Sequence, residues 1–496
     1  MKKYNNIRFH INRLMKFLKF NNKEDYVGII FFIIGIIFLL ITSYIELSKL
    51  GVWADEIYSL AMIKMPLNDF ISYSINDVHP ILYYVFLKIF CKIFYFIDLT
   101  LTGKIFSLIP ILLIGILSIT KIKKNFGMLT AGIFFFCICS MPRILTSALE
   151  VRMYSWGLFF ITTSLIFAYE ITNNPNWKKW TILTVLTILS IYTHYFSAIA
   201  SFSIYLVMLI YIIRKDKKLL KNWIISAIIC IIAYIPWLPI TYGQILNVNT
   251  TYWIAPISIN TVISYIYYIF SPAYQAIRNN ELASPTILGT LLFVSFIYLY
   301  YRNKDEFTTN TLLIFILVPS IGIIVSLISQ PIFHIRYIIP VIGCMWLVFS
   351  IFLAKSFENL KVFIPITILI LIIGILGIFA CMPIHNQDVA TTEIEHDYIS
   401  NMGENNVIII NYANAYFPLF KYYAPNNHHF MYNPSDSNLN DFLNNPDIIY
   451  YKNTGSKIYY VDNIDMNETY AESGFNFTEI PTNEATIGYK IYEIIY

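Results

Sequence analysis

The chain of 496 residues reads as a polytopic α-helical membrane protein with a small α/β domain at its C-terminal end. Three observations predict this. Hydrophobic residues make up 57% of the sequence and charged residues only 13%, with a mean hydropathy of +0.60; soluble domains are about 45–50% apolar and about 25% charged. The apolar residues gather into runs of membrane-spanning length. From about residue 383 onward the composition turns polar and rich in Asn, Asp and Tyr.

The N-terminal stretch, 1–26, carries Lys2, Lys3, Arg8, Arg13, Lys16, Lys19 and Lys23 ahead of a run long enough to span. It reads as a cytoplasmic stretch before a retained anchor, not as a cleaved signal. Apolar runs of about 17–25 residues follow at 27–46, 104–120, 154–171, 196–213, 223–241, 285–301, 311–329, 338–354 and 362–382, with shorter ones at 127–141 and 180–192. Placing the basic loops inside (Lys121 to Lys124, Lys178 with Lys179, Arg214 to Lys221, Arg302 with Lys304, Lys355 with Lys361) requires both short runs to span. It also requires 80–97, which carries Lys88 and Lys92, to lie flat or re-enter on the outer side. About eleven spans result, with residues 27–382 as the membrane body, 47–103 as a first exterior loop, and 383–496 as an exterior domain.

In that tail, Val407–Ile410 and Ile448–Tyr451 read as buried strands. Lys457–Val461 and Tyr489–Tyr492 read as edge strands, and Ala413–Tyr423 as a helix ending before Pro425. The six cysteines lie in or beside apolar stretches and read as packing residues. Cys137 and Cys139 lack the Cys-x-x-Cys spacing of zinc and redox sites. Short, scattered Lys and Arg clusters exclude nucleic acid as a partner. The absence of a Gly-rich phosphate loop speaks against a nucleotide cofactor, while a divalent metal stays open. Trp253 is a candidate for stacking on a sugar. Asn249-Thr250-Thr251, Asn467-Glu468-Thr469 and Asn476-Phe477-Thr478 match the glycosylation acceptor pattern, which Asn-rich chains also produce by chance.

The chemistry concentrates on the predicted outer side. Asp55 and Glu56 follow the first span and Asp77 and His79 lie about twenty residues on; adjacent carboxylates beside a span are costly to place. The same side receives Arg143, Glu150, Arg152 and Tyr154, then His194 and Tyr195, then His334, Arg336 and Tyr337. Inner loops hold mainly Lys. Planar arginines facing carboxylates suit an anionic ligand and acid–base chemistry. A lipid-held phosphate would lie at headgroup depth, with arginine stabilising it as a leaving group and a carboxylate taking a proton from the attacking group.

Trp53-Ala54-Asp55-Glu56, then Asp77-Val78-His79-Pro80 leading into Leu82-Tyr83-Tyr84, resembles the first exterior loop of the family 39 glycosyltransferases. This group of the GT-C architecture includes protein O-mannosyltransferases and the lipid A aminoarabinose transferase. Glu150-Val151-Arg152-Met153-Tyr154, Thr193-His194-Tyr195 and Arg336-Tyr337-Ile338-Ile339-Pro340 are similar to later landmarks, so the resemblance covers about residues 25–355. It implies transfer of a hexosyl or pentosyl group from a polyprenyl-phosphate donor with inversion. The acceptor would be a protein, a cell-wall polymer or a glycolipid at the plasma membrane. It further implies Asp55 as base with Glu56 beside it, and Arg143, Arg152, His194 and Arg336 at the donor phosphate. Asp77, His79, Tyr154, Tyr195 and Tyr337 would bind substrate or shape the loops. The competing expectation is a secondary transporter or flippase for a lipid-linked or anionic substrate. Such a protein would place its charges at the bilayer midplane in repeated halves.

Overall fold

The computed structural model describes residues 22–248, 254–273, 283–411, 416–433, 438–462, 475–481 and 488–495. The basic stretch up to residue 21, Trp253, the acceptor patterns at Asn249 and Asn467, and the start of the predicted helix at Ala413 lie outside the described residues.

Helix α1 (Lys23–Ser48) starts where the Asn22 side chain accepts from the Asp25 amide at 3.0 Å. Four shorter elements follow: α2 (Ala54–Lys64), α3 (Leu67–Asn76), α4 (Leu82–Ile93) and then the longer α5 (Leu99–Leu117). The chain continues through α6 (Lys123–Ser140), α7 (Pro142–Leu149), α8 (Tyr154–Asn173), α9 (Trp177–Ile191) and α10 (Tyr195–Lys215). After these come α11 (Leu220–Tyr234), α12 (Leu238–Val248), α13 (Ile259–Phe270), α14 (Ala283–Asn303), α15 (Glu306–Ile328), α16 (Ile339–Lys355) and α17 (Leu360–Ser400). Two glycines let α1 and α6 touch backbone to backbone. A Cβ on Gly28 would stand 2.7 Å from the Leu129 nitrogen, and one on Gly132 would overlap the Gly28 carbonyl. Helix α16 is the central post, buried at every position from Ile339 to Leu353. Leu40, Ile231 and Phe379 point outward, as side chains facing lipid do.

Seven helical runs among the described residues are long and apolar enough to cross a membrane, and the chain is an integral membrane protein. One of them, Leu99–Ser140, turns at Gly127, whose φ of +89° suits glycine; that turn separates the expected runs 104–120 and 127–141. Helices α8, α9 and α14, which the eleven-span count includes, fall outside these seven. Helix α4 has 12 residues, about 18 Å long, against a hydrocarbon core of about 30 Å. Lys88 fastens it to the end of α2 by donating to the carbonyls of Ile63 and Met65, each at 2.6 Å.

The composition changes at residue 383, but α17 runs on through Pro383 to Ser400 as one helix of 41 residues. Beyond it lie β1 (Val407–Asn411), α18 (Phe417–Tyr423), β2 (His428–Tyr432), α19 (Leu439–Leu443), α20 (Pro446–Asn453), β3 (Ile458–Asp462), β4 (Asn476–Glu479) and β5 (Lys490–Ile495). The sheet order is β2-β1-β3-β5-β4, with β1 parallel to β2 and β3, and β5 antiparallel to β3 and β4. Three expectations are corrected here, one of them the edge-strand reading of Tyr489–Tyr492, whose residues from Lys490 on fall in β5, paired on both sides by β3 and β4. Ile448–Tyr451 is helical, because Pro446 at the first turn and the Asn445 side chain accepting from the Asp447 amide at 3.0 Å start a helix. The 457–461 segment is the middle strand of the sheet, with every residue of β3 buried. Alternate residues of β1 face two cores. Val407 and Ile409 pack with Leu443 and Ile448, while Ile408 and Ile410 join Phe420 and the main core.

Candidate active site

Asp55 and Glu56 lie in the first turn of α2, where carboxylates complement the helix dipole. Glu56 is almost fully buried, and its partners fix it. One oxygen accepts from the Trp53 amide at 3.3 Å; the other accepts from the Val151 amide at 2.8 Å and pairs with Lys104 at 3.3 Å. Glu56 therefore staples the start of α2 to the 150–153 turn. Asp55 is left facing a cavity of about 600 Å³, whose wall also includes Trp53, Arg143, Glu150 and Arg336.

Arg336 comes from the short turn Ile335–Ile338 that opens α16. It reaches Asp55 Oδ2 at 2.7 Å and lies over the Trp53 ring at 4.9 Å. Arg143, in the first turn of α7, faces the Tyr268 ring at 5.7 Å across the same cavity. Burial pushes the Glu150 carboxyl up to about 7, and the neighbouring Glu56 charge adds to the rise.

A second layer stands behind Asp55. Arg152, buried, has its Nε 4.0 Å from Asp55 Oδ2. Its Nη1 donates to the Asp55 carbonyl and Ser59 Oγ at 3.3 Å each and to Tyr84 Oη at 3.2 Å; Nη2 lies 3.5 Å from His79 Nε2. Tyr84 donates to Asp77 Oδ2 at 3.0 Å, and His79 Nδ1 sits 3.4 Å from the same oxygen. Burial alone would raise the Asp77 carboxyl, but His79 and Arg152 outweigh it and hold Asp77 below its usual range. Burial depresses His79, against the pull of Asp77. His194 caps α10 by accepting from the Phe196 amide at 3.1 Å and packs on Tyr337, Tyr154 and His79. Burial drives it well below the usual imidazole range.

The structure thus brings Asp55, Glu56, Arg143 and Arg336 onto one cavity wall. It puts Arg152, Asp77, His79, Tyr154, His194 and Tyr337 in the layer behind. Tyr195 faces away toward Gln244, on a mostly apolar cavity of about 360 Å³ that His79, His194 and Tyr337 also line. Four wall residues had no sequence signal of their own. Lys104 bridges Glu56 and Glu46, the latter at 3.7 Å; His385 Nδ1 lies 3.0 Å from Glu46 Oε2; Asp388 follows one turn along α17. No three His, Cys, Asp or Glu side chains among the described residues come together closely enough to hold a metal ion.

The fold is similar to that of ArnT from Cupriavidus metallidurans, solved bound to undecaprenyl phosphate. The alignment covers 94% of this chain and 97% of that one, with a TM-score of 0.61 and 10% identity. A second solved structure, the Archaeoglobus fulgidus oligosaccharyltransferase in complex with zinc and sulfate, aligns with 86% of this chain and 67% of its own at a TM-score of 0.44 and 12% identity. No family model and no curated relative matches. The chain shares with that ArnT structure the fold of a helical membrane body, here followed by a small C-terminal sheet.

Proposed function

We propose that this protein is an integral-membrane glycosyltransferase taking its sugar from a polyprenyl-phosphate donor at the outer face of the membrane. The observation that carries this is the Asp55–Arg336 pair on a cavity that also receives Arg143. The ArnT-like fold supports the lipid donor, since that relative was solved with undecaprenyl phosphate. In the proposed reaction the donor phosphate lies against Arg143 and Arg336. An acceptor hydroxyl or amine attacks the anomeric carbon from the opposite side. The new C–O or C–N bond forms as the bond to the phosphate oxygen breaks, the polyprenyl phosphate leaves on the arginines, and the acceptor proton passes to Asp55. Inversion follows from a single displacement. Arg152 acts from behind, holding Asp55 in place, and His194 supports that layer.

The test is Asp55→Asn in full-length protein reconstituted into nanodiscs with a polyprenyl-phosphate sugar. Transfer should fall about 10²–10⁴-fold, the usual contribution of a general base, while undecaprenyl phosphate still binds. Undiminished transfer would sink the assignment. On the outer-face placement, a reporter fused after Lys124 should be cytoplasmic; an exterior signal would reverse the topology.

A further inference from the structure

We propose that the end of the cavity lined by Glu46, His385 and Asp388 is a subsite for the hydroxyls of a sugar. This rests on the glycosyltransferase reading and assigns a substrate group to residues it left without a role. His385 is only 5% exposed, and its Nδ1 is engaged by Glu46 Oε2 at 3.0 Å. Its ring lines the cavity, and Nε2 is buried with no hydrogen-bond partner among the described residues. A ring proton on Nδ1, facing the Glu46 carboxylate, leaves Nε2 as an acceptor. A buried nitrogen left without a hydrogen bond is costly, and a ligand donor removes that cost.

The surrounding charges say which ligand. Lys104 Nζ is shared between Glu46 and Glu56 at 3.7 and 3.3 Å, leaving Asp388, one helical turn from His385, as an additional acceptor. Three carboxylates around one lysine repel an anion, so the phosphate belongs at the arginine end. Carboxylate and imidazole acceptors side by side suit a group that presents several O–H donors, as a sugar ring does. The cavity wall therefore carries two guanidinium groups, one of them paired with Asp55, and a separate cluster of hydrogen-bond acceptors around Lys104.

The experiment uses the full chain in nanodiscs and three probes: methyl α-D-glucopyranoside, D-glucosamine and undecaprenyl phosphate. His385→Asn keeps a donor toward Glu46 but removes the Nε2 acceptor, and Asp388→Asn keeps the side-chain volume. Both variants should bind the glycoside at least about tenfold more weakly than the wild type, with undecaprenyl phosphate binding unchanged, which also reports that they fold. Unchanged glycoside binding in both variants, or no glycoside binding by the wild type, overturns the subsite. Binding of glucosamine without the neutral glycoside also overturns it, in favour of an amine. A wild type that binds the glycoside in a His385-dependent way but not undecaprenyl phosphate supports the subsite and overturns the donor reading alone.

Discussion

Two arginines approach the same oxygen of Asp55 from different regions, and they are built for different work. Arg336, on the cavity wall, makes the short contact at 2.7 Å and lies over the Trp53 ring. Arg152, in the layer behind, stands at 4.0 Å and spends its remaining donors on the Asp55 carbonyl, Ser59 and Tyr84. A guanidinium whose hydrogen bonds all run to groups inside the protein positions its neighbours. One that faces a cavity can exchange a carboxylate for a phosphate. What each arginine touches is thus the ground for the scaffold role proposed for Arg152 and the ligand-binding role proposed for Arg336.

That division is broken most directly by Arg152→Met. Removing one partner of a buried charged network costs about 3–5 kcal/mol, so the midpoint of thermal unfolding in detergent should drop sharply and activity should fall with it. A variant with an unchanged midpoint would show that Arg152 does not hold the layer together. Arg336→Lys should leave the midpoint nearly alone but weaken undecaprenyl phosphate binding about 10–100-fold, because an ammonium cannot reproduce the planar fork. Equal losses of stability in the two variants would erase the distinction.

Glu150 sharpens the contrast through pH. Its carboxyl is raised from the ordinary 4.5 to about 7 in the fold. The folded state therefore holds its proton where the unfolded chain has lost it, and stability declines as pH rises from 4.5 to 7. Glu150→Gln should flatten that decline. It should also make phosphate-lipid binding less sensitive between about pH 6 and 8, measured as the difference from wild type so that the titration of the phosphate itself cancels. The smallest effect is expected from Gly51→Ala. A Cβ there would meet the Val389 nitrogen at 2.7 Å, displacing α17 next to Asp388, so glycoside binding should weaken while undecaprenyl phosphate binding holds.

The paired carboxylates of α2 and the arginines of a lysine-rich chain were legible because each is expensive beside an apolar run. Arg152 was legible as a candidate site residue but not as a buried support, since burial depends on where Tyr84 and Ser59 lie in space. Lys104 and Glu46 were hidden by position. Each sits at the boundary of an apolar run, where a lone charge reads as a span end. His385 and Asp388 share a helical face, yet the polar composition after 383 assigned them to the tail while the helix continued unbroken. Ile448–Tyr451 misled for a different reason: a short apolar and aromatic run has no period of its own, and the deciding signal was the Asn445-Pro446 start.

The length of α17 has a consequence of its own. Forty-one helical residues extend about 60 Å, twice the hydrocarbon thickness. The stretch from Asp388 to Ser400 sets about 18 Å between the cavity wall and the sheet. Thr392 pins that stretch to both the amide and the carbonyl of Val52, at 3.0 and 3.2 Å, just ahead of the turn that carries Asp55. The helix is a ruler: whatever the sheet grips is held at a fixed height above Asp55, and a substrate would be selected by its reach as well as by its contacts.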